Sequence, residues 1–246
     1  MRKFGLIGYP LSHSFSKKYF NSKFEQEGIS DCFYELYPLK TIEELPELLA
    51  NTPDLEGLNV TIPYKQAVIP FLQAIEKGAE EVGAVNVIKI ENGQLIGYNS
   101  DIYGFEQSLL DFLGKDKNDL KRALILGSGG AAKAVSFVLK KMKIDYKIVS
   151  RTPKYDQLIY EQLTPSLINR HLLLINTTPL GMAPNSSTYP DLPYQYLSDK
   201  HYLFDLVYNP EKTLFLAKGE QNGAKTCNGL KMLYLQAEKA WEIWNN

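Results

Sequence analysis

Directly after the apolar run Ala123–Leu126 the chain reads Gly127-Ser128-Gly129-Gly130-Ala131-Ala132, and from Ala131 to Met142 apolar residues recur at helical spacing. A glycine-rich turn between a buried strand and a helix constrains the fold more than any other feature here. It matches the G-x-G-x-x-A pattern in the context where that pattern has meaning. Gly127 permits the tight turn, Gly129 lets backbone approach a pyrophosphate, and Ala132 keeps the helix close to the sheet. The N–H groups at the helix start are donors for an anion. Gly127, Ser128, Gly129, Gly130 and Ala131 are therefore the candidate cradle of a dinucleotide. An acidic residue at the end of the next strand would bind the 2′-hydroxyl of NAD and repel a 2′-phosphate. Ser150-Arg151-Thr152 stands there instead, 23 positions after Gly127, with Lys154 close behind. Hydroxyls and a guanidinium donate to phosphate, so this pattern favours NADP.

Strand-like and helix-like segments alternate along the chain, which predicts an α/β protein. Strands are expected at 3–8, 33–38, 58–61, 84–91, 95–99, 123–126, 146–149, 172–175 and 203–206. A helix is expected from Ser16 to a stop at Gly28, and Asn92-Gly93 is the preferred pair for a two-residue hairpin. Phe105, Leu109, Phe112 and Leu113 form a helical stripe, and the charged stretch from Lys115 to Arg122 is a candidate entrance to a second domain. The last helix is expected over 229–245, capped by Asn228, with Leu230, Leu233, Ala237, Trp241 and Trp244 on one buried face. At 246 residues the chain has room for two modest cores. The expected architecture is two α/β domains, the first with a mostly parallel sheet and the second Rossmann-like and doubly wound.

Composition excludes several other classes. Lys and Arg number 27 against 28 Asp and Glu, a net charge of −1, so no basic field is available for nucleic acid. No apolar run approaches the roughly 18 residues of a membrane span, and the interrupted start at Gly8 and Pro10 does not read as a signal peptide. Cys32 and Cys227 stand far apart, without metal-ligand spacing, which fits a reducing compartment. His13, His171 and His201 are too scattered for a ligand set. A cytoplasmic protein without metal is expected, its partners being small molecules, as a monomer or a homodimer.

Four polar clusters in the first hundred residues follow expected strand ends: Ser12-His13-Ser14-Phe15-Ser16, Asn59 to Lys65, Gly83-Ala84-Val85-Asn86, and Gly97 to Asp101. They combine hydroxyls, amides, an ammonium and a carboxylate, a set suited to a polyhydroxylated acid. Taken singly, each has an ordinary use as well: Ser14, Ser16 or Asp101 as a helix cap, Asn86 in a turn, Lys65 in solvent.

Together these residues resemble the shikimate dehydrogenase family along nearly the whole chain. The family's S-x-S corresponds to Ser14 and Ser16, its N-V-T-x-P-x-K to Asn59–Lys65, its G-A-V-N to Gly83–Asn86, and its N-T-D to Asn99-Ser100-Asp101. Asn176–Met182 is similar to its N-x-T-x-x-G-M loop, Asp205–Tyr208 with Pro210 to its D-x-x-Y-x-P segment, and Gly229 through Gln236 to its last helix. The resemblance implies reversible NADP-dependent reduction of 3-dehydroshikimate to shikimate. It implies a discontinuous substrate domain, 1–101 with 225–246, and an NADP domain, 102–224. It further implies a shikimate pocket of Ser14, Ser16, Thr61, Asn86, Asp101, Tyr208 and Gln236, with Lys65 and Asp101 as the catalytic pair. Thr177, Leu206 and Gly229 would join the cofactor site. Reduction of a ketone leaves an alkoxide that needs a proton donor, which an ammonium beside a carboxylate supplies. Lys17, Ser150 and Tyr155 depart from the family, which often has Pro, Asn and a second Arg there. The competing readings are a quinate/shikimate dehydrogenase of relaxed substrate and cofactor choice, and a non-catalytic dinucleotide-binding regulator, which the presence of Lys65 and Asp101 argues against.

Overall fold

A computed structural model describes residues 1–11 and 14–246. Ser12 and His13, part of the first polar cluster, lie outside the described residues. The elements run in the order β1 (Arg2–Gly8), α1 (Phe15–Gln26), β2 (Cys32–Pro38), α2 (Leu45–Asn51), β3 (Leu55–Val60), β4 (Ala74–Ile75), α3 (Lys77–Val82), β5 (Val87–Glu91), β6 (Gln94–Tyr98) and α4 (Ser100–Leu113). They continue with β7 (Arg122–Leu126), α5 (Gly130–Lys141), β8 (Asp145–Val149), α6 (Pro165–Arg170), β9 (Leu173–Asn176), β10 (Tyr202–Asp205), α7 (Leu214–Gln221), β11 (Lys225–Cys227) and α8 (Leu230–Asn245). The chain divides into two compact units, Met1–Ser100 with Ala237–Asn246, and Asp101–Gln236. No helix among the described residues is long and apolar enough to cross a membrane.

The first unit holds a six-stranded sheet in the order β2-β1-β3-β5-β6-β4. β1 pairs in parallel with β2 and β3, and β4 with β6, whereas β3–β5 and β5–β6 are antiparallel. Among the described strands β5 alone runs against the others, so the first sheet is mostly parallel, as expected, and the hairpin supplies its reversed strand. Asn92 and Gly93 both have positive φ, 52° and 76°, as a tight two-residue hairpin turn requires. The expected strand start at Ala84 moves to Val87. Val85 instead donates its N–H to the Lys65 carbonyl at 2.7 Å, and Asn86 to the Tyr98 carbonyl at 3.0 Å.

One face of this sheet is covered by α1 and the end of α8, where Phe4, Phe20, Phe24, Tyr34, Ala237, Ala240 and Trp244 form a buried cluster. Trp244 stacks on Phe4 at 4.8 Å between ring centroids and donates Nε1–H to the Ile88 carbonyl at 3.0 Å. Gly57 makes this possible, since a Cβ there would lie 2.3 Å from the Trp244 nitrogen. The helix face differs from the expected one. Leu230 is 37% exposed, and the buried residues are Ala237, Ala240 and Trp244. Asn228 does cap α8 as expected, accepting the Leu230 N–H on its Oδ1 at 3.1 Å.

In the second unit all strands are parallel, in the order β11-β10-β9-β7-β8. From β7 the chain moves outward to β8, then returns to the other side of β7 to lay down β9, β10 and β11. The direction of winding therefore switches between β7 and β9, the place where open α/β sheets bind ligands. Helices α4 and α5 bury Phe105, Leu109, Leu113, Val135, Val138 and Leu139 in one core. The other core holds Ile168 of α6 and Phe215 and Leu216 of α7.

The domain limits expected at 102 and 225 differ from this division. Lys225–Cys227 pairs with Tyr202–Phe204 as the outer strand of the second sheet, so the second unit continues to Gln236. The charged stretch 115–122 is not its entrance either, because the α4 stripe ahead of it already packs in the second unit's core.

Trp244→Ala removes a stacked ring and a buried hydrogen bond together. We expect it to lower the stability of the first unit by about 3–5 kcal/mol, measured by denaturant unfolding. Gly57→Ala should also destabilise, by overpacking against the same ring, by about 1–3 kcal/mol.

Candidate functional site

The glycine loop lies at the switch point of the second sheet. Gly127 has φ +109°, and a Cβ there would meet Thr177 Oγ1 and Thr178 Cγ2, each at 2.8 Å. Glycine is required on both counts. Gly127 N–H donates to the Val149 carbonyl at 2.8 Å, and Thr177 donates to the Leu126 carbonyl through both its N–H (2.9 Å) and its hydroxyl (2.8 Å). These bonds hold the ends of β7, β8 and β9 side by side. Leu206 N–H donates to the Asn176 carbonyl at 3.0 Å, and the Gly229 Cα comes so near the Leu206 backbone that a Cβ would fall 2.1 Å from its carbonyl oxygen. The structure thus brings Gly127, Thr177, Leu206 and Gly229 to one end of one sheet.

The residues present fit a dinucleotide. Apart from the chain neighbours and the helix's own backbone, no described atom lies within 4 Å of where a Cβ would stand on Gly129 or Gly130, and the N-cap residue of the 12-residue helix α5 is Gly129, which brings no capping side chain. Uncapped N–H groups facing open space are what a pyrophosphate needs. Ser128 and Ser150 approach each other at 3.1 Å between hydroxyl oxygens, and Thr152 N–H donates to Ser150 Oγ at 3.3 Å. Ser150 is buried, so it shapes the turn, while Arg151 and Thr152 are exposed beside it.

Below this loop lies a buried carboxylate. Asp205 is fully buried and accepts from Asn176 Nδ2 at 2.9 Å, Val207 N–H at 3.0 Å and the Thr213 hydroxyl at 2.6 Å. Burial pushes its carboxyl from an ordinary 3.8 up to about 6, against the lowering effect of those donors. The network joins the end of β9 to the segment carrying Tyr208, a half-buried residue whose phenol is raised by burial.

In the first unit, Asn59 and Asn86 form a second buried polar network. The Tyr34 hydroxyl donates to Asn59 Oδ1 at 2.7 Å, and Asn59 Nδ2 to the Asn86 carbonyl at 3.4 Å. Asn86 Nδ2 donates to Ser100 Oγ at 3.0 Å, while Asn86 Oδ1 accepts the Ser100 N–H at 2.7 Å. That second bond satisfies a donor at the start of α4, so Asn86, in the segment just before β5, acts as a cap for that helix. Ser16 hydrogen-bonds the Tyr34 hydroxyl, whose pKa stands well above the usual phenol range because of burial. Ser14 Oγ is buried with no hydrogen-bond partner among the described residues. An orphaned buried hydroxyl is unfavourable unless a ligand completes it.

Ser14, Ser16, Thr61, Lys65 and Asn86 belong to the first unit, whereas Asp101, Tyr208, Gln236 and every cofactor candidate belong to the second. Lys65 is half-buried in the turn after β3, and Thr61 N–H donates to the Ile7 carbonyl at 2.9 Å. Asp101 is in the first turn of α4. Gly104, one turn later, packs against Met232 and Gln236 of α8. Tyr34, Asn59, Ser100 and Asp205 carry no role in the sequence reading, yet the structure places all four in these polar networks. A lone polar residue inside an apolar strand, as in Leu58-Asn59-Val60 and Leu203-Phe204-Asp205, was the available signal for two of them.

A family model described as the shikimate dehydrogenase substrate binding domain matches residues 6–88. The chain is 34% identical over 265 residues to the shikimate dehydrogenase (NADP(+)) of Desulforamulus reducens, covering 98% of this chain and 88% of that protein. It is 37% identical over 258 residues to the shikimate dehydrogenase (NADP(+)) of Methanococcus maripaludis, covering 98% and 90%. Among solved structures, it is similar to the shikimate 5-dehydrogenase of Thermus thermophilus in complex with NADP(H) and shikimate. That similarity has a TM-score of 0.83 at 30% identity and covers 99% of this chain and 93% of that one.

The raised Asp205 carboxyl makes stability depend on pH. Its folded value lies above its unfolded one, so its contribution is complete below about pH 4 and is lost as pH rises through about 6, an effect on the order of 3 kcal/mol. Asp205→Asn has no such titration. The Tm of the variant relative to the parent should therefore rise between pH 4 and 7, and a constant difference over that range would refute the assignment.

Proposed function

The chain belongs to the shikimate dehydrogenase family, and from that we infer that it is an enzyme, an NADP-dependent shikimate dehydrogenase. It reduces 3-dehydroshikimate reversibly to shikimate in the pathway toward chorismate and the aromatic amino acids. Similarity to shikimate dehydrogenases (NADP(+)) over 98% of the chain is the observation that carries this reading. NADPH, when bound, supplies the hydride that reduces the substrate ketone.

The residues of the chain do the rest. Gly127, Ser128, Gly129, Gly130 and Ala131 hold the pyrophosphate on the start of α5, and Thr177, Leu206 and Gly229 border the same site. Ser150, Arg151 and Thr152 receive the 2′-phosphate, with Arg151 as its cation. Ser14 and Ser16 hold the substrate with Thr61, Asn86, Tyr208 and Gln236, a set of hydroxyls and amides matched to a hydroxylated carboxylic acid. The orphaned hydroxyl of Ser14 supports its place in that set. Lys65 Nζ gives a proton to the carbonyl oxygen as charge develops on it, and Asp101 favours the ammonium form of Lys65. The substrate domain comprises the first unit, and the NADP domain the second.

Every named group comes from one chain, so the reading requires neither a monomer nor a homodimer. The two unbridged cysteines are in keeping with work in the reducing cytoplasm.

The decisive assay is oxidation of NADPH followed at its reduced-nicotinamide absorbance, with and without 3-dehydroshikimate. Lys65→Ala should lower kcat by about a hundredfold to ten-thousandfold while shikimate still binds. Asp101→Asn should also slow turnover, and the double variant should lose less than the product of the two single effects, because both act on one proton transfer. Near-normal kcat in Lys65→Ala would remove that residue from the mechanism. Cofactor choice is read separately: NADP should be preferred over NAD by about tenfold to a hundredfold in kcat/KM, and Arg151→Ala should erase most of that preference. Equal use of both cofactors by the unmodified protein would contradict the role given to Arg151.

A further inference from the structure

The strands of the second sheet have their glycine loop at one end. At the other end Arg122 opens β7 and its register partner Asp145 opens β8, and these residues border a cavity of about 330 Å³. Lys147, Arg170 and His171 line it as well, with Asp156, Tyr146 and Leu167 completing the wall. Three cations therefore share one cavity. Among the described residues, none of the three has a carboxylate within 4.0 Å, even though Asp145 and Asp156 line the same cavity. Among the described residues the Arg170 guanidinium makes one hydrogen bond, from Nε to the Ser166 carbonyl at 3.2 Å.

His171 registers the resulting field. The residue is 7% exposed, and Nδ1 lies 2.7 Å from the Leu167 carbonyl, which can only accept. Nδ1 therefore carries the proton, and Nε2 is the acceptor in the neutral ring. The imidazole is held below its ordinary pKa first by burial and then by Arg122, Lys147 and Arg170. The groups facing it are Arg122 from β7, Asp145, Tyr146 and Lys147 from β8, Asp156 from the segment after β8, and Arg170 from its own helix. Arg122, Lys147 and Arg170 each lower the imidazole's pKa, so its end of the cavity is positive.

We propose that this cavity binds a small dianionic oxyanion, a phosphate or sulfate group, held by Arg122, Lys147 and Arg170. Guanidinium groups match such an anion in both charge and fork geometry. The site is at the opposite end of the strands from the glycine loop and does not depend on the catalytic reading. Because a bound dianion would offset the cations around His171, binding should favour the imidazolium, and by reciprocity a lower pH should favour binding. The source of the group is either free phosphate or a phosphorylated metabolite.

The test is calorimetric titration of the NADP-saturated protein with sodium sulfate at pH 6 and pH 8, at fixed ionic strength. Sulfate remains a dianion throughout, so any pH effect belongs to the protein. One site, tighter at pH 6, is expected. Arg122→Ala and Arg170→Ala, both at exposed positions, should each weaken it by roughly tenfold or more. His171→Gln should retain binding but flatten its pH dependence. Displacement of sulfate by inorganic phosphate, or by glucose 6-phosphate alone, identifies the source, and either result supports the site. Absence of sulfate binding, affinity in both arginine variants equal to that of the parent, or binding that NADP abolishes would overturn the proposal. Failure of NADP itself to bind would count against the catalytic reading, and the arginine comparison would still be readable.

Discussion

The close approach of Gly127 to Thr177 is the contact on which the second unit depends. A parallel sheet that reverses its winding leaves a crevice between β7 and β9, and the crevice is useful only if backbone can line it. Gly127 turns the chain with a left-handed φ that other residues avoid, and Thr177 closes against it with two bonds to the Leu126 carbonyl. The open ground over Gly129 and Gly130 and the uncapped start of α5 follow from that turn. A helix end left without a side-chain cap is a weakness in an ordinary fold and an asset where an anion completes it.

Buried polar groups support both sets of candidate residues, in different ways. Asp205 is an ionisable group placed at the end of an apolar strand, and three donors hold it there. Its cost is visible as a raised carboxyl pKa, and its effect is to fix the Asn176 and Tyr208 segments relative to β10. Asn86 does the same with neutral groups, joining β3, β6 and the start of α4 through its backbone and amide. Such networks fix geometry because leaving any member unsatisfied is expensive. Ser14 is the contrast, a buried hydroxyl with no hydrogen-bond partner among the described residues.

The last helix shows how a single ring can decide an assignment. Helical spacing alone puts Leu230, Leu233, Ala237, Trp241 and Trp244 on one face, yet the buried set is Ala237, Ala240 and Trp244. Trp244 inserts over Gly57 and reaches the Ile88 carbonyl, and small residues at 237 and 240 let the helix approach the sheet closely enough for that. The periodic pattern reveals a buried face. Its centre depends on the largest side chain and on the glycine that makes room beneath it.

By itself the sequence determined whatever is governed by neighbours along the chain. The Asn92-Gly93 turn, the stop of α1 near Gly28, the strand-turn-helix around Gly127 and the absence of an acid after β8 all rest on local φ preferences, periodicity and charge. The motifs carrying the family resemblance are likewise short runs of adjacent residues. Tertiary structure alone decided which distant strands became partners: that β5 enters the first sheet antiparallel to β3, and that Lys225–Cys227 completes the second. It also decided which polar side chains face one another, so that Asn86 caps a helix beginning at Ser100 and Arg122, Lys147 and Arg170 meet around His171. Those pairings join residues between about a dozen and about fifty positions apart, and no local preference encodes them. They are chosen when the apolar faces close and each buried donor must find an acceptor nearby.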